Sequence, residues 1–535
     1  MAAPTIPNGE EYFFNILYEG NQAGQRVGKF VPFTDNGTIA NSVIFNNADN
    51  AYVSKTFGTP TNNKKWTLSA WVKLGVLGTN RALISSNING AEYFDLFFTT
   101  GNVLKAQNRI SSSNDLLSST SRTFEDTSKF YHFLIVYDSD NSTSADRYIV
   151  YVDGDRLTVD DEAGSGVASA FNKSGVQHQV GISNTLGSSG VAGLGYQFDG
   201  YMAEVNFVDG SALTPSTFGL TDTSTGRWIP KALTGITYGN NGFRLQFASS
   251  SDFGDDSAGS NDFSVTNLVA SDQTTDSPTQ NHATMNPSNK ASTNASLSEG
   301  NLTVTQSNTY GGACAGMALP SSGKYYWEIK SVGTMDGNTI VGIVPDNGVT
   351  IAGSGQFPGG SSNSGSFGFA PAQTSDAQTV RNSVFENCPT LSKTTNAGTY
   401  IQMCWDGDTG SLWFGLNDTF EGNPSAGTGA SFTGINNTNK LFPACFAYAD
   451  VFEFNFGQRS FQYTPPTGFV ALQQDNLSET SKGVTGFSWI KNRDTASNHQ
   501  LYDSSRGAGK LLMSSATNAE STRTDALYKF LKGGY

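Results

Sequence analysis

Apolar and polar residues alternate along most of this chain, and the alternation predicts strands. Trp66, Leu68, Ala70 and Val72 fall two apart between Trp66 and Lys73, and Phe133, Ile135 and Tyr137 do the same further on. Between Tyr400 and Asp418, Ile401, Met403 and Trp405 make one such series, and Leu412, Phe414 and Leu416 make the next. Period-two apolarity marks a strand that buries one face. Asp406-Gly407-Asp408-Thr409-Gly410 lies between the two series, with glycines available for positive φ, so the pair predicts a β-hairpin. Its apolar face needs a second sheet to cover it. Arg147 to Gly154, Phe198 to Phe207, Ala444 to Tyr448 and Val451 to Gly457 carry the pattern through the rest of the chain. No long amphipathic helix or sustained heptad is visible. Only Thr524 to Lys532 reads as a short helix, with Leu527, Phe530 and Leu531 on one side.

These elements predict an all-β protein: two antiparallel β-sandwich (jelly-roll) domains in tandem, joined by an extended bridge and flanked by short terminal extensions. Residues 1–32 form an arm. Its aromatic run Tyr12-Phe13-Phe14-Asn15-Ile16-Leu17-Tyr18 calls for a docking surface, on the first sandwich or on another subunit. Residues 33–230 form the first sandwich and residues 301–472 the second. Residues 231–300 form the bridge. Its prolines at 278 and 287 argue against helix, while Phe243, Leu245, Phe247, Phe263, Val265 and Leu268 are too apolar for a disordered linker. The bridge is therefore expected to be ordered and packed along both domains. Gly353 to Ser366 is almost all Gly and Ser, a loop either mobile or shaped by contacts. Residues 473–535 form a tail with one strand at Gly486 to Lys491. The tail is too short for its own core and must pack on the second sandwich or on a neighbour.

Composition narrows the function. The 59 glycines, 36 phenylalanines and 15% charged residues suit strands and turns. A net charge of −14 with no cluster of Lys and Arg argues against nucleic acid as a partner. No apolar run reaches roughly eighteen residues, which predicts no membrane insertion. The first residues lack a basic segment followed by an apolar run, so no signal peptide is expected. Cys314, Cys388, Cys404 and Cys445 have no metal-binding or redox spacing and read as buried thiols, with a disulfide between two of them left open.

Several stretches resemble known families. Trp66 to Lys73, His132 to Tyr137, Tyr148 to Gly154 and Phe198 to Phe207, followed by Leu213-Thr214-Pro215, resemble the laminin-G-like branch of the concanavalin-A-like lectins. That resemblance implies a carbohydrate- or protein-binding jelly roll. It also raises calcium as a cofactor, with no residue set mapped to hold it. Gly323 to Ile329, Thr339 to Ile343 and Trp405 to Asn417 resemble the SPRY domain, an interaction module. In the bridge, Asp255 to Gly259, Asn261-Asp262-Phe263 and Asp276-Ser277-Pro278 are similar to segments of virion structural proteins of tailed phages, marine ones especially. So are Trp489 to Arg493, His499 to Asp503 and Arg506-Gly507 in the tail, in the same order.

Catalysis finds little support in the residues. Lectin-fold glucanases need carboxylates spaced Glu-x-Asp-x-x-Glu on one strand. Glu92-Tyr93-Phe94-Asp95 is the nearest match and position 98 is Phe98. No catalytic residue is assigned. The four histidines, His132, His178, His282 and His499, are scattered, and His132 reads as a packed strand residue. Asp406 and Asp408 read as turn formers before cation ligands. For binding, exposed aromatic rings stack on sugars, and Trp71, Tyr93 and Tyr196 are the candidates. The expectation is a non-enzymatic phage virion structural protein, a tail fibre or surface appendage, that binds host-surface glycan or protein during adsorption. Its other partners would be virion proteins and copies of itself, as a homo-oligomer that would be a trimer in a fibre. Its location would be the virion, assembled in the host cytoplasm and released by lysis. A capsid decoration or bracing protein and a polysaccharide-degrading enzyme are the alternatives.

Overall fold

A computed structural model describes residues 37–89, 91–183, 196–222, 227–291, 294–307, 310–345, 351, 355–373, 375–437, 440–477, 487–490, 498–503, 510–517 and 519–522. The arm at 1–32 and the helix expected at 524–532 lie outside these residues. Among them the secondary structure is strand, with a few single-turn 3₁₀ segments and no α-helix.

The first sandwich packs an eight-stranded sheet on a seven-stranded one. Across the eight-stranded sheet run Asp155–Arg156, Tyr148–Val152, Tyr131–Asp138, Lys65–Leu74, Gly200–Asp209, Ser42–Phe45 and Gln273–Thr274, with Phe243–Leu245 also paired to Gly200–Asp209. The facing sheet runs Ser264–Thr266, Tyr52–Thr56, Gln177–Val180, Arg81–Asn89, Glu92–Phe98, Val103–Ile110 and Ser113–Thr123. Trp66, Leu68, Ala70 and Val72 point into the shared core with Phe133, Ile135 and Tyr137, as their alternation requires. Trp66 stacks on Tyr137 at 5.4 Å between ring centroids.

The second sandwich repeats the plan. Met285–Lys290, Tyr310–Ala315, Leu441–Tyr448, Ile340–Pro345, Phe367–Ala370, Asp376–Arg381 and Val384–Ser392 form one sheet. Ala295–Ser298, Thr303–Gln306, Val451–Asn455, Lys324–Ser331, Tyr400–Asp406, Ser411–Leu416 and Thr419–Phe420 form the other, with Val470–Ala471 parallel to Lys324–Ser331. The hairpin read from sequence is present, Ile401 opposite Leu416 and Trp405 opposite Leu412. In its turn, Asp406 Oδ1 accepts from the backbone N–H groups of Asp408 (3.0 Å) and Thr409 (3.3 Å), the turn-forming role. All four cysteines are buried and none is in a disulfide.

Three segments refine the sequence expectation. Residues 231–300 are no separate connector: they supply Phe243–Leu245, Ser264–Thr266 and Gln273–Thr274 to the first sandwich, then Met285–Lys290 and Ala295–Ser298 to the second. Phe243, Leu245 and Val265, noted in the sequence as too apolar for a linker, lie on these strands. The tail carries four short strands rather than one, Phe487–Ile490, Gln500–Asp503, Lys510–Met513 and Ser521–Thr522, forming a small sheet. The described part of the Gly/Ser loop is held by contacts. Gly359 N donates to Ser366 Oγ (2.7 Å), and Ser383 N donates to the Gly359 carbonyl (2.8 Å).

The two sandwiches meet on the outer face of the eight-stranded sheet. Odd-numbered residues of Lys65–Leu74 face outward, and Lys73 is sealed there with no exposed surface. Its ammonium donates to Asp276 Oδ2 (2.8 Å), Asn281 Oδ1 (3.0 Å) and the His282 carbonyl (3.0 Å), so all three N–H groups are used. The loop carrying these acceptors is tied onward to the second sandwich, where Ala283 N donates to the Leu472 carbonyl (3.1 Å). Beside it Glu299, Gly300 and Asn301 take positive φ in succession, 53°, 62° and 65°. A Cβ on Gly300 would sit 2.5 Å from the Tyr201 ring, whose hydroxyl donates to the Gly300 carbonyl at 2.7 Å. Only glycine allows that approach.

Candidate functional site

The same outer face carries a cleft further along. The strand Gly200–Asp209 is bulged against Lys65–Leu74: Ala203 pairs with Trp71 and Asn206 with Ser69, leaving Glu204 and Val205 opposite one residue. Glu204 takes φ 51°, a strained conformation for a residue with a side chain. The slip keeps Val205 in the core and puts both Glu204 and Asn206 on the wall of a cavity of about 30 Å³. Ser69, Trp71, Phe218 and Arg244 also line it, and Lys231 stands at its rim. Glu204 is 7% exposed, and its Oε1 accepts from Arg244 Nε. Asn206 is held at both ends of its amide: its Nδ2 donates to the Glu204 carbonyl (2.9 Å) and its Oδ1 accepts from the Tyr238 hydroxyl (2.6 Å).

Behind the cavity lies a chain of polar contacts. The ring of Trp228 is clamped between Gly154 and Gly219, where added Cβ atoms would lie 2.6 and 2.5 Å from it. So placed, its indole N–H donates to His132 Nδ1 at 3.0 Å, and His132 Nε2 lies 2.9 Å from Ser69 Oγ. A serine beside a histidine invites comparison with a nucleophile and its base. The geometry excludes that role. An indole nitrogen can only donate, so Nδ1 accepts. Burial holds the imidazole neutral, its pKa pushed down to about 3, so the single ring proton is on Nε2 and faces Ser69. His132 therefore cannot take the serine proton.

The three residues read as ring-stacking candidates are not brought together. Trp71 lines the cleft but is only 4% exposed. It packs with Ile39, Ile44, Phe130, Tyr201, Ala203 and Leu302 where the two sandwiches meet, and its indole lies 4.7 Å from the His132 ring. Tyr93, 4% exposed, lies on the other sheet with the Arg109 guanidinium 5.9 Å from its ring centre. Tyr196 is half-buried against Phe97 at 5.4 Å. Alternation set the face of Trp71, but outward on a strand is not exposed once another layer covers it. Glu204, Arg244, Ser69 and Trp228 were not singled out from sequence. The signal for the first was there: Met202 and Val205 are three apart, a break in the period of two that marks the bulge.

The glucanase-like carboxylates do not form a pair. Glu92 binds Lys173 Nζ at 2.5 Å, while Asp95, an odd number of residues along, faces the other side of the sheet and is buried. Among the described residues no three His, Cys, Asp or Glu side chains converge as metal ligands.

Comparison with known proteins gives the class and then the domains. The architecture is that of binding-type β-sandwiches. Residues 46–217 match the model of the concanavalin A-like lectin/glucanases superfamily, residues 324–459 match the SPRY domain, and residues 472–535 match a domain of unknown function, DUF7483. The chain thus carries a concanavalin A-like domain and a SPRY domain in tandem. No curated protein matches it. Among solved structures, the SPRY domain of human HERC1 is similar at 16% identity, covering 33% of this chain and 99% of that one, with a TM-score of 0.25. The native heptameric SAP-like pentraxin from Limulus polyphemus is similar at 14% identity over 33% of this chain and 78% of that one, TM-score 0.25. A human SPRY domain is similar at 16% identity over 31% and 98%, TM-score 0.24.

Proposed function

We propose that this chain is a non-enzymatic adhesive component of a phage particle, a tail fibre or surface appendage, whose sandwiches bind host-surface glycan or protein. The observation that carries the reading is the pairing of two binding-type sandwiches on one buried junction, which presents them to a ligand as one unit. The virion part is supported by the phage-like segments at Asp255 to Gly259, Asn261 to Phe263, Asp276 to Pro278, Trp489 to Arg493, His499 to Asp503 and Arg506-Gly507. The Glu92–Asp95 motif offers no acid and base pair, which favours binding over hydrolysis. The test is competition: the purified full chain is incubated with candidate host cells, and both bound protein and later phage adsorption are measured. Saturable binding that blocks adsorption supports the reading. A chain that is abundant in particles yet binds no cell would point to a bracing role instead.

A further inference from the structure

We propose that the cleft walled by Glu204, Ser69 and Arg244 is a socket for one hydroxyl group of a neutral sugar; the inference rests on the reading that the first sandwich binds glycan. The polarity of the contacts behind the cleft forces the argument. Trp228 donates to His132, and His132 donates to Ser69 Oγ, so the serine oxygen is acting as an acceptor on that side. Its own O–H is then left for the cavity that Ser69 lines. Across the space stands Glu204, with one carboxylate oxygen on Arg244 Nε and the other an acceptor. A group that fits must accept from the serine and donate to the carboxylate, which is what an alcohol does. A carboxylate or phosphate would meet Glu204, and an ammonium would meet Arg244. The volume of about 30 Å³ suits a group the size of one water. The strained φ of Glu204 fits a residue held for its side-chain direction.

The experiment uses the full chain on an array of neutral and acidic glycans, followed by calorimetry with the best neutral sugar and its singly deoxygenated analogues. Ser69→Ala and Glu204→Gln should each weaken binding about 3- to 10-fold, the worth of one hydrogen bond. One deoxy analogue should lose affinity for the wild type and lose nothing further for Ser69→Ala. Should Ser69→Ala fail to fold, the ring-nitrogen NMR signals of His132 in the wild type serve instead: they should report the Nε2–H tautomer and shift on titration with the sugar. Wild-type binding that both variants retain, or His132 signals indifferent to bound sugar, would overturn the socket while leaving glycan binding in place. Capture of a host protein with no glycan bound at all would overturn both.

Discussion

Lys73 offers the sharpest test of how the two sandwiches are joined. It and Asp276 are both fully enclosed, 2.8 Å apart, and the ammonium satisfies two further acceptors. Lys73→Met keeps most of the stem and removes the charge. The carboxylate of Asp276 is then left enclosed without its cation, and Asn281 Oδ1 and the His282 carbonyl lose their donor. Stranding one member of a buried pair costs about 3–5 kcal/mol. For a domain of this size each kcal/mol is worth roughly 2–4 °C in Tm, so the fall should be roughly 6–20 °C. The double variant Lys73→Met/Asp276→Asn should recover a good part of the loss. The charge is gone, and the amide oxygen can still accept from the His282 N–H that now reaches Asp276 Oδ1 at 3.1 Å. Scanning calorimetry of wild type, Lys73→Met, Asp276→Asn and the double variant at one pH decides the matter. A single variant melting within about 1 °C of wild type, or a double variant whose loss is the sum of its parts, would refute the account.

Four further outcomes are expected. Burial pushes Asp199 up to about 6, so the unfolded chain gives up this proton first and stability falls as pH rises from about 4 to 6. Measured against Asp199→Asn by urea unfolding, wild type should therefore lose roughly 2–3 kcal/mol across that window, and parallel pH curves would contradict it. His178, stacked on Phe57 at 3.5 Å and held by burial at about 3, acts with the opposite sign. The unfolded chain takes up this proton below pH 6.5, so wild type should lose about 2 kcal/mol relative to His178→Phe between pH 7 and 5. Gly300→Ala should destabilise by about 1–3 kcal/mol, because the new methyl meets the Tyr201 ring and the φ is left-handed; an unchanged Tm would count against the tight turn. Burial pushes the thiols of Cys388 and Cys445 up to about 12, so all four cysteines should resist a disulfide reagent until denaturant is added.

Strand positions and faces were legible because burying one side of a sheet forces apolar residues to alternate. The core set from Trp66 to Val72 and the hairpin from Tyr400 to Asp418 follow from that rule alone. What covers the other side was not legible. Trp71 and Lys73 are outward in any register, yet their burial depends on residues some 130 to 230 positions away, Leu302 and Asp276 among them. Ser69, His132 and Trp228 are likewise brought together by pairing of distant strands and by two glycines that let the indole close. Position 73 reads as polar in sequence; only the fold shows it paired and dry.

The strands lent by residues 231–300 bear on how the chain would carry load. No slack tether separates the two domains: Gln273–Thr274 is laced to Ser42–Phe45, and Met285–Lys290 to Tyr310–Ala315 a few residues on. A pull applied to one sandwich passes to the other through hydrogen-bonded ladders and the Lys73 bolt, not through a spring. Such a joint has little compliance. The first domain is held at a set angle to the second, and load applied to either would turn the pair as a lever.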